Sequence, residues 1–208
     1  MSIKDSYDFW ALQYDTNINR TRDLESVALR KVLTNIDFDN CLEVGCGTGK
    51  NTVWLIEKAK YLLAVDLSEE MLKKAKEKIT SNKVEFKKFD ITRPWPFDNK
   101  DFDLVSFSLV LEHIADLEHI FAEASKLLRK DGYIYLGELH PFKQYFGSKA
   151  RFDTEAGTEV VECYNHNISD FIQTAKKYGF LVLDLNEHFD DGDRNSLPRV
   201  LTILLQKV

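Results

Sequence analysis

The chain has 208 residues, 44% of them hydrophobic and 30% charged, with a formal net charge of −6 at pH 7. That length carries one α/β core and is short for two, and the acidic balance argues against a nucleic-acid partner, which is gripped by clustered Lys and Arg that displace counterions. Three cysteines (Cys41, Cys46, Cys163) form no C-x-x-C pair and no complete disulfide framework, and no signal-peptide core or run of about 18 apolar residues occurs, so a cytoplasmic protein without membrane association is expected.

Residues 5–35 read as helical, with a break at Asn17 and Asn19. In TRDLESVALRKVL the apolar residues Leu24, Val27, Ala28 and Leu33 recur at helical spacing, which suits a helix packed on a sheet. The preceding YDFWALQYD crowds Tyr7, Phe9, Trp10 and Tyr14 beside acids. Such aromatics either cap a core or close over a ligand.

Residues 42–52, LEVGCGTGKNT, organise the rest of the chain. An apolar run ends in glycines at alternate positions, Gly45, Gly47 and Gly49, and a helical pattern begins at once with Val53, Ile56 and Ala59. Strand, glycine turn and helix start make a site at which backbone N–H groups face a ligand. The dinucleotide fingerprint G-x-G-x-x-G would place its third glycine where Lys50 stands, and a P-loop pattern is also absent. Cys46 is either a reactive thiol or a small residue packed under the turn.

YLLAVDL (61–67) reads as a strand buried on both faces, ending at Asp66, about 20 residues beyond the glycine turn, where a carboxylate can accept from both hydroxyls of a ribose. Ser68 offers a helix cap, and Met71, Leu72, Ala75 and Ile79 line one face of the helix after it. VEFKKFDI (84–91) is an alternating strand that ends in Asp90. FDLVSFSLVLEHI (102–114) gives a fourth strand and the start of a helix, LEHIFAEASKLLR (117–129) an amphipathic helix, and GYIYLGEL (132–139) a fifth strand leading into His140 and Pro141. Residues 140–167 show no clear period and carry Phe142, Tyr145, Phe146, Arg151, Phe152, Tyr164 and His166, a long connection of the kind that is disproportionately functional. SDFIQTAKKYG is a last helix, and 180–189 and 199–208 are closing strands joined by a polar loop.

E-V-G-C-G-T-G, followed in step by Asp66, Asp90, D-L-V-S-F-S and L-L-R-K-D-G-Y, resembles the class I S-adenosylmethionine-dependent methyltransferases, in their small-molecule, type 11-like subgroup, over residues about 40–140. The resemblance implies a single Rossmann-like, doubly wound α/β domain over 1–208. Its seven-stranded sheet would be mostly parallel, with an antiparallel last strand inserted between strands five and six. It implies S-adenosyl-L-methionine as cofactor and S-adenosyl-L-homocysteine as product. Cofactor contacts would come from Glu43, Gly45, Cys46, Gly47 and Gly49, from Asp66 and Leu67, from Asp90 on the adenine amine and Ile91 on its ring, and from Ser108 and Leu109 at the methionine end. Arg20 or Arg22 would meet the methionine carboxylate. Residues 1–35 would form a helical lid and 140–167 the substrate side, with Tyr7, Trp10, Tyr14, Tyr145 and His166 facing a small-molecule acceptor.

No metal site is expected, and the protein would act as a monomer or homodimer. A proton acceptor near neutral pH is most naturally histidine. His113, His140 and His166 all fall on the side where the cofactor should lie; His140, leaving strand five directly, is favoured and His113 is second. It stays open that no general base exists. The rival functions are an RNA or protein methyltransferase of the same fold and a non-catalytic S-adenosylmethionine-binding module.

Overall fold

A computed structural model describes residues 2–97, 101–154 and 157–208. Helices α1 (Ile3–Trp10) and α2 (Arg20–Leu33) precede strand β1 (Asn40–Val44), α3 (Thr52–Lys58), β2 (Tyr61–Asp66), α4 (Glu69–Lys78), β3 (Val84–Lys88) and β4 (Phe102–Ser108). A 3-10 turn (Leu111–His113), α5 (Leu117–Leu127), β5 (Leu128–Leu139) and α6 (Pro141–Tyr145) come next. Strands β6 (Arg151–Thr154) and β7 (Gly157–Val160), helix α7 (Ile168–Lys177), and strands β8 (Phe180–His188) and β9 (Val200–Lys207) complete the chain.

The main sheet has seven strands in the order β3-β2-β1-β4-β5-β9-β8. β1 pairs in parallel with β2 and β4, β2 with β3, and β4 with β5; only β9 runs antiparallel, to both β5 and β8. This is the doubly wound sheet with an inserted antiparallel last strand.

Alternation along the strands builds both layers. Leu42, Val44, Leu63, Val65, Val105 and Phe107 point to one face, where Ile120, Phe121 and Ala124 of α5 and Phe171 and Ala175 of α7 cover them. Cys41, Leu62, Ala64, Leu104 and Tyr135 point to the other, under Leu29 and Leu33 of α2 and Leu55 of α3. Both faces are therefore dry, and the parallel strands all end along one edge of the sheet, where ligands of such sheets lie.

One segment departs from the sequence reading. The stretch 140–167 is not aperiodic throughout: it holds α6 and an antiparallel hairpin, β6–β7, which forms a sheet of its own. Phe152 and Val161 of that region turn inward onto Trp10 and Met71. Its strands are too short for alternation to show over the charged residues around them. The first helix is also a packed element: Trp10 is buried, stacked on Phe152 with ring centroids 5.4 Å apart. No helix among the described residues is long and apolar enough to cross a membrane.

Candidate functional site

The glycine turn is held from two sides. Val65 O accepts from the N–H groups of Gly45 and Cys46 (2.8 and 3.0 Å), and the Asp66 carboxylate takes Gly47 N–H on Oδ2 and Ser68 N–H on Oδ1, each at 2.8 Å. One side chain thus ties the ends of β1 and β2 together at the mouth of the sheet. All three glycines have positive φ, yet each is needed differently. A Cβ on Gly45 would lie 2.1 Å from Val110 Cγ2, and one on Gly49 2.7 Å from Ile79 Cδ1, so both are packing positions. A Cβ on Gly47 would meet nothing within 4 Å.

Two cavities border this turn, and a third adjoins them. The first, about 140 Å³, has polar walls from Asp66, Asp90 and Ser108 and apolar ones from Leu67, Met71, Phe89, Ile91 and Ile114. A small one of about 40 Å³ lies between the turn and α2, among Arg22, Glu25, Glu43, Cys46 and Asn51. Gly45, Gly47, Ser108, Leu109 and Tyr14 line both of these. The third, about 330 Å³, shares Tyr7, Tyr14 and Leu109 with the first. Leu109 holds a left-handed φ of +57° and donates its N–H to Gly137 O at 2.8 Å. Backbone strain of this kind in a non-glycine residue is retained where surrounding structure over-determines it, often at ligand sites.

The small cavity carries unusual chemistry. Asn51 Oδ1 is buried and unpartnered, while its amide donates to Glu25 Oε2 (2.9 Å) and Ser108 Oγ (3.2 Å). Arg22 Nε is buried without a hydrogen bond as well, its nearest carboxylate oxygen, Asp23 Oδ1, being 3.6 Å away. An unpartnered acceptor and an unpartnered N–H of a cation, on two residues that line one cavity, suit the two charged ends of an amino acid. Burial pushes the Glu25 carboxyl up to about 7 and the Glu43 carboxyl up to about 8. Burial likewise raises Asp66 to about 6. These acids are poised to gain from a nearby positive charge.

The N-terminal segment covers the cavities. Asp8 accepts from Ser68 Oγ (2.6 Å), Asp15 from Thr48 Oγ1 (2.6 Å), and Lys78 pairs with Asp15 at 2.8 Å. Arg22 holds the linker above, donating to Tyr14 O and to Asn17 O at 2.7 Å, with its guanidinium 4.9 Å from the Tyr14 ring centre. Tyr7 hydroxyl lies 2.8 Å from His113 Nε2, and His113 Nδ1 lies 2.7 Å from Glu162 O. A carbonyl only accepts, so Nδ1 carries the proton and Nε2 accepts from Tyr7.

Of the residues expected at the site, Gly45, Gly47, Asp66, Leu67, Asp90, Ile91, Ser108, Leu109, Tyr7, Tyr14 and His113 line the first cavity, Glu43 and Cys46 the small one, and Trp10 the largest. Gly49 lines none of these three and packs against α4. Cys46 is buried, and burial pushes its thiol well up, so it packs and does not react.

His140, favoured as proton acceptor, is a correction. It is wholly buried and lines none of the three cavities; Nδ1 accepts from Phe142 N–H (3.1 Å) as the cap of α6, and Nε2 meets Glu187 at 3.0 Å. Both ring nitrogens are occupied with ordering the chain. His166 contacts Ile114 O at 2.7 Å, and Tyr145 is exposed and bonded to Asn167, so neither reaches the three cavities. Arg20 lines the largest cavity instead of meeting the small one.

Sequence reasoning missed Glu25, Asn51, Phe89, Val110 and Ile114. Glu25 had a signal: it stands at i, with Leu29 at i+4 and Leu33 at i+8, as the one acid on the apolar stripe of α2.

The residues present therefore fit an elongated ligand with a nucleoside at one end and an amino acid at the other, bent over Gly47. A family model described as a methyltransferase domain matches residues 42–136. An uncharacterised methyltransferase of Emericella nidulans is 24% identical, over 88% of this chain and 77% of that protein. A ubiquinone biosynthesis O-methyltransferase of Pelagibacter ubique is 27% identical, over 59% of this chain and only 50% of its own length. Among solved structures, a putative S-adenosylmethionine-dependent methyltransferase from Listeria monocytogenes superposes with a TM-score of 0.77 at 26% identity, covering 89% of this chain and 99% of that one. Residues 42–136 are thus a methyltransferase domain of the type 11 group, and the glycine turn, sheet order and these relatives are those of a class I S-adenosylmethionine-dependent methyltransferase.

Proposed function

We propose that the protein methylates an oxygen of a small-molecule acceptor, which occupies the largest of these three cavities while S-adenosylmethionine spans the other two. The single observation that carries this is the junction at Tyr7, Tyr14 and Leu109, where the largest cavity opens onto the cofactor cavity beside the Tyr7–His113 pair. The Pelagibacter relative, named for O-methylation in ubiquinone biosynthesis, supports an oxygen acceptor.

When bound, the cofactor supplies a methyl group already activated by its sulfonium. Asp66 would accept from the ribose hydroxyls with the lone pairs that Gly47 and Ser68 leave free, and Asp90 and Ile91 would take the adenine. Asn51 Oδ1 would receive the ammonium of the amino-acid end, and Arg22 Nε would meet its carboxylate. Glu25 and Glu43, held up by burial, would gain from a sulfonium or ammonium nearby, which favours their ionised form.

The acceptor's hydroxyl proton needs a destination. Tyr7 would take it while passing its own proton to His113 Nε2, with Glu162 O holding the imidazole in the right tautomer. Burial raises the Tyr7 phenol well above its ordinary value, which disfavours a free phenolate and favours passing its proton on as it takes one up. Tyr14 and Trp10 exclude water from the junction.

Methyl transfer from labelled S-adenosylmethionine to a panel of phenols, quinols and hydroxy acids tests this reading. His113→Gln should lower kcat by about 10²- to 10⁴-fold with the affinity for S-adenosylhomocysteine unchanged. An unaltered kcat in that variant, or label appearing only on protein or RNA, would overturn it.

A further inference from the structure

We infer that the acceptor is an anion, held by its charged group at the basic end of the largest cavity; this rests on the reading that the cavity takes the methyl acceptor.

The protein as a whole carries six more formal negative than positive charges. The cavity wall reverses that balance: Arg20, Lys149, Arg151 and Arg199 line it, against Glu112 alone. None of the four basic residues lines the first cavity, so they stand away from the point where the methyl group is delivered.

Arg199 is fixed. Its Nε and Nη2 grip Asp190 at 2.5 and 2.6 Å, and its Nη1 donates to Thr21 Oγ1 at 3.2 Å. Among the described residues, no carboxylate comes within ion-pair distance of Arg20, Lys149 or Arg151. Asp190 offsets one of the four cations. Glu112 offsets less than a full charge, because burial raises its carboxyl and favours the protonated form.

Two further observations point the same way. Trp10 lines the cavity, and its indole N–H is buried without a partner, a donor in want of an acceptor. Asn19, Arg20 and Thr21 bring in the cap and first turn of the 14-residue helix α2, whose dipole favours negative charge there.

At about 330 Å³ the cavity lies at the small end of the range for ligand pockets, and it is partly enclosed, so charge pairs within it are less screened than on open surface. The three cations are exposed, so a neutral acceptor would leave them to water and the buried N–H of Trp10 without a partner. An acceptor with a carboxylate or phosphate at one end and the reacting hydroxyl at the other satisfies them and is registered by them toward Tyr7.

The test uses the whole chain loaded with S-adenosylhomocysteine, titrated calorimetrically with benzoate, with benzamide as its neutral isostere, and with inorganic phosphate. The inference expects benzoate or phosphate to bind at the 1:1 ratio and benzamide not to, with binding weakened by added salt in the unmodified protein. The anion that binds more tightly identifies the charged group. Lys149→Gln/Arg151→Gln, a change of two side chains on the cavity rim, should weaken anion binding by about tenfold and leave the S-adenosylhomocysteine affinity unaltered. Benzamide binding as well as benzoate, or anion affinity unchanged in the double variant, would overturn it. Cofactor binding with no anion binding sinks the anion inference and leaves the methyltransferase assignment standing. Anion binding with no methylation of any hydroxylated acceptor sinks the proposed reaction and leaves the anion site standing.

Discussion

Asp66→Ala removes the side chain proposed to hold the cofactor's ribose. Its two oxygens each accept one backbone N–H at 2.8 Å, from Gly47 and Ser68, and the residue lines the first cavity, where the lone pairs left over would take ribose hydroxyls. Hydrogen bonds to a charged group are worth about 1.5–3 kcal/mol net, so the variant should bind S-adenosylhomocysteine about 10- to 150-fold more weakly. The freed N–H groups border a cavity that water can enter, which limits the loss of fold stability to about 1–3 kcal/mol.

A pH signature separates the ribose role from a purely structural one. Burial raises the carboxyl to about 6, and hydroxyl donors stabilise only its ionised form. The Asp66 contribution to ligand affinity should therefore be complete above pH 6 and fall about tenfold per pH unit below it, as binding comes to require loss of its proton. In Asp66→Ala that dependence should vanish. Calorimetry from pH 5 to pH 8 reads both effects. Wild-type affinity in the variant, or an unmodified protein whose affinity does not change below pH 6, would refute the assignment.

Gly47 and Gly49 should fail in opposite ways. Gly47→Ala strains a positive φ and puts a methyl into open space above the turn, so a modest fall in Tm should come with a large loss of cofactor affinity; Gly49→Ala adds a clash with Ala75 of α4 and with Ile79 just after it, so the larger fall in Tm should be there, as paired thermal and binding titrations will show. Hydrogen exchange over residues 5–20 should be slowed by S-adenosylhomocysteine, because Tyr7 and Tyr14 border the cofactor cavity; equal, strong protection with and without ligand would make the segment a fixed cap. Glu138 is raised by burial to about 8, with Oε1 accepting from Val110 and Leu111 N–H and Oε2 unpartnered. Its folded value exceeds its unfolded one, so its contribution to stability is complete below about pH 4.5 and is lost as pH rises through 8. Glu138→Gln, which cannot titrate, should gain stability relative to the unmodified protein across that window, by a few kcal/mol at most. A Tm difference that does not change with pH would count against it.

The parts of this protein legible from sequence are those written in local pattern. Apolar runs at 41–44, 62–65 and 104–107 are near-continuous because both faces of the sheet are covered, and the glycine turn needs its residues at fixed offsets from Asp66. The parts that were not legible depend on direction and distance. His140 leaves β5 at the right end, but its ring turns to Phe142 and Glu187 and away from the cavities. Trp10 sits in a segment of weak periodicity and becomes core only because Phe152, 142 positions later, stacks on it. Gly49 has the look of a ligand-facing glycine and is held by the packing of Ile79. The basic cavity is spread over residues 20, 149, 151 and 199, with no charge run to mark it.

A crystal structure of the protein with S-adenosylhomocysteine tests the central claim most directly. Density for adenine between Leu67 and Ile91, ribose hydroxyls on Asp66, and an amino-acid end against Asn51 Oδ1 and Arg22 Nε, with the largest cavity left for an acceptor, is the predicted result. A ligand lodged among Arg20, Lys149 and Arg151, or one that leaves Asp66 and Asn51 without contacts, would contradict the account.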